Sequence, residues 1–477
     1  MSTHRFLNLD RTIVSAPLFH SSHRGFVAVF VFCALFLYSQ KAEAIPAFAK
    51  KYSAPCTLCH SNWPKLNVVG ARFKLNGYQL EGSRDGADVG KLTPSFDLHL
   101  DTGKANVPVS LRLDGGLSIF QAKSGPAGGQ ANNFPCCADG NRGRLYAAGT
   151  VDQDAGYFFS YKFGDTQIEQ GFIRFANIFG PGYAGVDLGA IRTADSDAVS
   201  PNREWFGSAN PANFGTSNVG GRDQGMASGY TDTGARFFGN PDNGPFSYDV
   251  VVATGTRQTG SAVNSRGSAY GLMGRIDTGG FAGSFRYWGN KSGELLMRKS
   301  AGASSFSPLL GQTASSAVTT DINLSADRTS PDEKTQDYIF SFSYNAEKWQ
   351  TELVYNWNDF SLDQRTRGSN TYSRETVRRT GASLSWIYNF SSRIVFGMRY
   401  GTSGVPEYKE VFNGVTSQVP SASASQYEFK LEALPVQNIK VSFQWTMDTS
   451  NEQARTDLSG KVYDLQNKLF LLWDWAI

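Results

Sequence analysis

Three residues in one short stretch have the types and the spacing to do chemistry: Cys56, Cys59 and His60, in the order Cys56-Thr57-Leu58-Cys59-His60. Covalent attachment of a haem needs this pattern, because both vinyl groups and the iron belong to one rigid macrocycle. Cys56 and Cys59 would carry the thioether links of a single haem c, and His60 would reach the iron from one face. A redox CxxC or half a zinc site would need a thioredoxin-like context or a second ligand pair, and neither accompanies the motif.

The distal side of the iron is open. Beyond residue 44 the chain has one other histidine, His99, while Met226, Met273, Met297, Met398 and Met447 all lie far downstream. His99 as distal ligand would give a bis-imidazole pair and a lower potential than His/Met. The alternative is a surface or lumen histidine beside an open or water-occupied site. With one of two histidines claimed by iron, a His-based triad is disfavoured, and no catalytic residue is assigned. Cys136 and Cys137 stand together in "NNFPCCADG" and read either as a vicinal disulfide or as two loop thiols.

The elements that position the motif begin with an export signal. The run "GFVAVFVFCALFLYS" follows basic residues and precedes Ala42-Glu43-Ala44, the pattern of a secretory signal peptide over residues 1–44. It is shorter than the ~20 residues of a helical membrane span. Its removal takes away Arg5, Arg11, Arg24, Lys41, Asp10 and Glu43, which lowers the net charge from +3 to +1. No basic block remains, and nucleic acid is excluded as a partner.

The bulk of the 477 residues is rich in Gly (50), Phe (34) and Tyr (20), and apolar side chains recur at every second position. Tyr338, Phe340, Phe342 and Tyr344 form one such stripe. Leu353, Tyr355 and Trp357 form another, and Ile439, Val441, Phe443 and Trp445 a third. Period two places each stripe on one strand face. The opposite faces carry Gln350, Glu352 and Asn356; Arg393 and Arg399; Gln426, Glu428, Lys430 and Glu432; and Lys440, Ser442 and Gln444. At 246–252 the stripe of Phe246, Tyr248, Val250 and Val252 is interrupted by Val251. Apolar faces capped by aromatics over a polar interior are what a membrane-spanning barrel requires.

Short connections such as "GNPDNG", "DTGG" and "NAEKW" alternate with long ones at 121–143, 192–227, 290–335, 359–376, 401–423 and 448–461. Short turns belong to the periplasmic side. Of seventeen strand-like stretches, the first, 95–101, has no partner in this alternation. The reading is therefore an all-β fold: an antiparallel transmembrane β-barrel of sixteen strands, give or take two, over residues 107–477. Residues 45–106 form a small monohaem cytochrome segment, placed in the periplasm or inside the barrel. Some sixty residues are near the lower limit for folding alone, so Trp63, Leu66, Val69, Phe73, Leu75 and Tyr78 are expected to pack with the haem.

A signal peptide, "PAFAKKYSAPCTLCH", "WPKLNVVGARFKLNGY" and a porin-like barrel together resemble the fused monohaem cytochrome-porin family of outer-membrane iron oxidases. The match is tight over Ile45 to Tyr78 and architectural beyond. "AKKYSAP" stands where an Arg-Gln-Thr-Gly-like sequence is the family's pattern. The resemblance implies haem c on Cys56 and Cys59 with His60 as axial ligand, framed by Pro46, Phe48, Ala49, Pro64, Leu66, Gly70, Phe73, Lys74, Gly77 and Tyr78. It also implies residence in the bacterial outer membrane in contact with lipid. The activity would be Fe(II):cytochrome c oxidoreductase, with extracellular Fe(II) or another redox partner as donor and a periplasmic c-type cytochrome or other carrier as acceptor. The alternatives are a haem-plugged porin passing solutes and outward electron transfer to an extracellular acceptor.

Overall fold

The computed structural model describes most of residues 52–80 and, from 109 to 476, the strands with their shorter connections. Residues 1–51, 81–108, 122–141, 193–204, 207–230, 293–332 and 450–466, with some shorter pieces, lie outside the described residues. The signal peptide, His99, Cys136, Cys137 and the stretch 95–101 fall there.

The chain opens with a small hairpin, β1 (His60–Asn62) and β2 (Lys65–Leu66), and a helix, α1 (Val68–Leu75). The next seven strands are β3 (Val109–Gln121), β4 (Arg142–Asp152), β5 (Ala155–Lys162), β6 (Gln167–Phe175), β7 (Gly185–Arg192), β8 (Thr231–Gly239) and β9 (Phe246–Ala253). A side hairpin of β10 (Arg257–Thr259) and β11 (Ala262–Asn264) precedes β12 (Ser268–Thr278), β13 (Phe281–Ser292), β14 (Glu333–Asn345), β15 (Trp349–Arg367), β16 (Asn370–Asn389) and β17 (Ile394–Val405). β18 (Tyr408–Phe412) and β19 (Val415–Val419) form the far end of the next hairpin and lead to β20 (Ala422–Val436), β21 (Ile439–Asp448) and β22 (Asn467–Ala476).

β17 pairs with β20 from Ile394↔Ala433 to Val405↔Ala422, and β18 and β19 carry the same hairpin on in unbroken register from Tyr408↔Val419 to Phe412↔Val415. β18 is still paired to β16 at Tyr372–Arg374, so that β17 with β18 and β19 with β20 each count as one strand of the wall. Sixteen antiparallel strands then make the wall, and β22 closes on β3 from Asn467↔Gln121 to Ala476↔Arg112. Closure leaves no strand edge unpaired, the condition for a sheet to stand in lipid. On the inner side of this seam Arg112 donates two hydrogen bonds to Asp474, at 2.9 and 2.6 Å. The turn between β12 and β13 is two glycines, Gly279 and Gly280, with φ of +54° and +87°. Such a turn needs positive φ at both positions to match the strand twist.

The outer surface is apolar. Phe342, Leu353 and Leu384 are direct neighbours across three strands, each about half exposed. Aromatic residues border this belt on both sides: Phe281, Tyr344 and Trp349 pack together at the short-turn end, and Tyr270, Tyr287, Tyr338 and Trp357 at the other. Trp349 and Trp357 are eight residues apart on β15, which spans about 20 Å at the usual rise and tilt. This is a lipid-facing belt between two girdles, and the barrel is of the outer-membrane type. Among the described residues no helix is long and apolar enough to cross a membrane.

Two expectations are corrected. Residues 359–376 and 401–423 are not loops: β15 runs to Arg367 and β16 starts at Asn370, while β18 and β19 occupy the second stretch. Past the girdle both faces of a hairpin meet water, so pairing continues without apolar alternation; Asp359 and Arg378 pair there at 2.7 Å on the outer face. Val251 is not an interruption either. It points inward and is buried with Phe172, Ile191, Ala253 and Trp288 in an apolar cluster of the lumen.

A charge placed at mid-belt measures the lipid assignment. Leu353→Arg is expected to destabilise the folded barrel by about 2–4 kcal/mol, read from denaturant unfolding in lipid vesicles.

Candidate functional site: the motif segment and its seat on the lumen wall

Cys59 and His60 lie together where a tight turn enters β1. The Leu58 amide closes this turn on the Pro55 carbonyl at 2.9 Å. Asn67 then joins the turn to the helix. Its side-chain oxygen accepts the Gly70 amide at 2.9 Å, a helix N-cap, while its side-chain nitrogen donates to the Leu58 carbonyl at 2.9 Å. Its backbone amide donates to the Cys59 carbonyl at 2.9 Å. Gly70 completes the contact, because a Cβ there would stand 2.1 Å from the Cys59 carbonyl oxygen. The first turn of α1 can approach the motif this closely only without a side chain at residue 70.

The donor set suits a covalent haem c. A thiol and an imidazole are adjacent and partly exposed at Cys59 and His60. Leu58 and Val69, on the two elements that Asn67 joins, remain 36% and 41% exposed, apolar surface beside the motif. Cys56 lies outside the described residues, as do Trp63 and Pro64.

The far end of α1 packs elsewhere than expected. Phe73 and Tyr78 are buried against Ala148 of the barrel wall rather than around the motif, with Tyr52, Leu80 and Phe158 beside them. Tyr78 stacks on Phe158 at 5.5 Å, and Phe158 stacks on Phe172 at 5.5 Å. Phe158, Phe172 and Ala148 all face inward, so Tyr52, Phe73, Tyr78 and Leu80 seat the segment on the lumen wall. Arg72 reaches the Gly244 carbonyl of the short β8–β9 turn at 3.4 Å, which places this seat at the short-turn mouth.

A buried charge cluster lies beneath the seat. Asp187 on β7 accepts from Arg174 on β6 at 2.6 and 2.7 Å and from Arg236 on β8 at 2.9 Å. Arg174 also donates to the Lys74 carbonyl in the last turn of α1. Composition gave no hint of these residues; the available signal was a charged residue at an inward position of three successive strands, close to the same mouth.

A second insert occupies another part of the lumen. Trp205 and Phe206, from the connection between β7 and β8, pack on Ile387 and Val395. Lys430 donates to the Trp205 carbonyl and lies 4.5 Å from its ring, and Arg399 lies 4.5 Å over Phe206. Lys430 in turn pairs with Glu432 at 3.1 Å, and Lys440 bridges Glu432 and Asp474 at 3.8 and 3.5 Å. The inward positions expected to be polar at Gln350, Asn356, Arg399, Glu428, Lys430, Glu432, Ser442 and Gln444 are buried on this inner face. Arg393 is the exception and stands exposed in the turn before β17. Among the described residues no cluster of three His, Cys, Asp or Glu side chains could hold a further metal ion.

The fold defines a porin-like outer-membrane β-barrel. No protein-family model matches the chain, and no curated protein matches its sequence. Solved structures of similar shape include OmpT, an outer membrane protein of Vibrio cholerae, with a TM-score of 0.49 and 11% identity over 78% of this chain and 97% of that one. An anion-selective porin from Comamonas acidovorans has a TM-score of 0.49 and 11% identity over 78% and 99%. Salmonella typhi OmpF in complex with daunomycin has 0.48 and 12% over 78% and 98%. At such identities and TM-scores the likeness carries nothing about function.

Asn67 and Gly70 are expected to hold the motif turn against α1. Asn67→Ala should loosen the segment by about 1–2 kcal/mol, seen as faster amide exchange at residues 68–71. Gly70→Ala should do the same through the clash with Cys59.

Proposed function

We propose that this chain is an outer-membrane electron-transfer protein carrying one haem c on Cys56 and Cys59, with His60 as proximal iron ligand and His99 as distal ligand. It takes electrons from extracellular Fe(II) and delivers them to a periplasmic c-type cytochrome. The observation that carries this reading is the Cys-Thr-Leu-Cys-His motif on a segment seated at the short-turn mouth of a membrane-spanning barrel. Bound there, the haem would supply a one-electron iron couple. The protein's part is to fix the two thioethers, to present the His60 imidazole and to hold the segment inside the wall. A barrel so furnished lets electrons cross while Fe(III) stays outside, which suits a donor whose oxidised product is poorly soluble. Carboxylate and water are the ligands Fe(II) favours, and no residue is assigned to that docking step.

The porin-like barrel and its polar inner face support a second reading, solute passage around the segment. Outward electron delivery is a third. Stopped-flow absorbance on sealed proteoliposomes with Fe(II) added only outside separates them. The expected result is haem reduction fast enough for respiration, lost in Cys59→Ala. Rapid swelling of the vesicles in small solutes with a haem reducible only from within would favour a porin or an outward reductase. His99→Ala is expected to convert a low-spin haem spectrum to high-spin; an unchanged spectrum removes His99 as ligand.

A further inference from the structure

The cluster beneath the seat is a buried ion-pair network drawn from neighbouring strands. Two guanidiniums, Arg174 and Arg236, both pair with the Asp187 carboxylate, and all three side chains are buried. Removing such charges from water is costly unless neighbouring groups compensate. The wall compensates in part with the ring faces of Phe172 and Phe238, 5.4 and 4.4 Å from Arg174. The seated segment adds to this at Arg174. The last turn of α1 carries the partial negative charge of a helix C-terminus, and Arg174 bonds to its Lys74 carbonyl. The Tyr78 ring lies 5.4 Å from the same guanidinium.

Tyr78 is also the residue that the backbone strains to deliver. Its φ is +66°, an uncommon value for a side-chain-bearing residue, and its amide returns to the Phe73 carbonyl at 3.0 Å to close the helix. Strain of this kind persists where the surroundings over-determine it. Phe73, Phe158 and Arg174 surround the ring on three sides.

We infer that Arg174 is the positioning residue that locks the N-terminal segment to the lumen wall through the Lys74 carbonyl and the Tyr78 ring, so that the segment is a fixed part of the barrel and not a stopper that leaves it. Arg174 suits the task because one planar fork serves two partners at once: two nitrogens engage Asp187 and the third reaches α1. A lysine at this position could not do both. The inference concerns how the segment is held and stands whether or not haem is attached.

Hydrogen exchange on the full-length holo-protein in lipid nanodiscs tests it. In Arg174→Gln and in Arg174→Lys, amides of residues 68–78 should exchange about tenfold faster or more, as expected for loss of a charge-assisted hydrogen bond, while β13–β16 keep wild-type rates. Tyr78→Ala, which leaves the Arg174–Asp187–Arg236 pairs in place, should accelerate 68–75 similarly. The double variant should exchange clearly more slowly than the product of the two single effects would give, since both act on one contact. Unchanged rates at 68–78 in Arg174→Gln would overturn the inference, as would equal acceleration of β5–β9 and 68–78, which would make Arg174 a support of the wall alone. If Arg174→Gln does not fold, unchanged rates at 68–75 in Tyr78→Ala overturn it instead. Haem content, read from absorbance on the same samples, is a separate outcome: a protein without haem whose residues 68–78 remain protected contradicts the haem reading and leaves the lock standing.

Discussion

Every backbone amide and carbonyl of a sheet that crosses lipid has to be paired within the sheet, and the rest of this molecule follows from that constraint. It forces the C-terminal β22 to return to β3 and close the wall. Closure fixes an inside and an outside. Period two then sorts the side chains, with Phe342, Leu353 and Leu384 outward and Ser341, Asn356 and Ser383 inward. A barrel of sixteen strands is wide enough that its own side chains do not fill it, and the lumen becomes the place where function can be installed.

Two inserts are installed there by the same chemistry. At one place Arg174 bonds to a backbone carbonyl of α1 and lies by the Tyr78 ring. At the other Lys430 bonds to the Trp205 carbonyl and lies by the Trp205 ring. In both, a cation held by wall carboxylates meets a carbonyl oxygen and an aromatic face, groups that carry partial negative charge without needing a buried anion. Rigid strands thereby position the groups that enter the lumen. The motif residues Cys59 and His60 depend on this at one remove, through Asn67, Gly70 and the body of α1.

The wall was legible in the sequence because lipid imposes a strict alternation: the stripe from Tyr338 to Tyr344 is β14, and the stripe from Ile439 to Trp445 is β21. Legibility ended where the lipid ends. Above the girdle Asp359 and Arg378 can share the outer face with Trp357, so the continuing β15–β16 hairpin read as a loop. The motif was legible because its spacing is the one that covalent haem attachment would require. Its seat was not. Phe73 and Tyr78 look in sequence like the core of a small domain, and only the fold shows that a barrel wall takes the place of that core. Arg174, Asp187 and Arg236 come from three strands and form a site only once the strands are neighbours.

The central claim is that this barrel carries electrons between its two faces. The most direct measurement is reduction of oxidised cytochrome c trapped inside sealed proteoliposomes when Fe(II) is supplied only outside. Reduction of the trapped cytochrome by the wild-type protein, absent in Cys59→Ala, is the expected result. A trapped cytochrome that stays oxidised in vesicles whose barrels are folded and carry haem would contradict it.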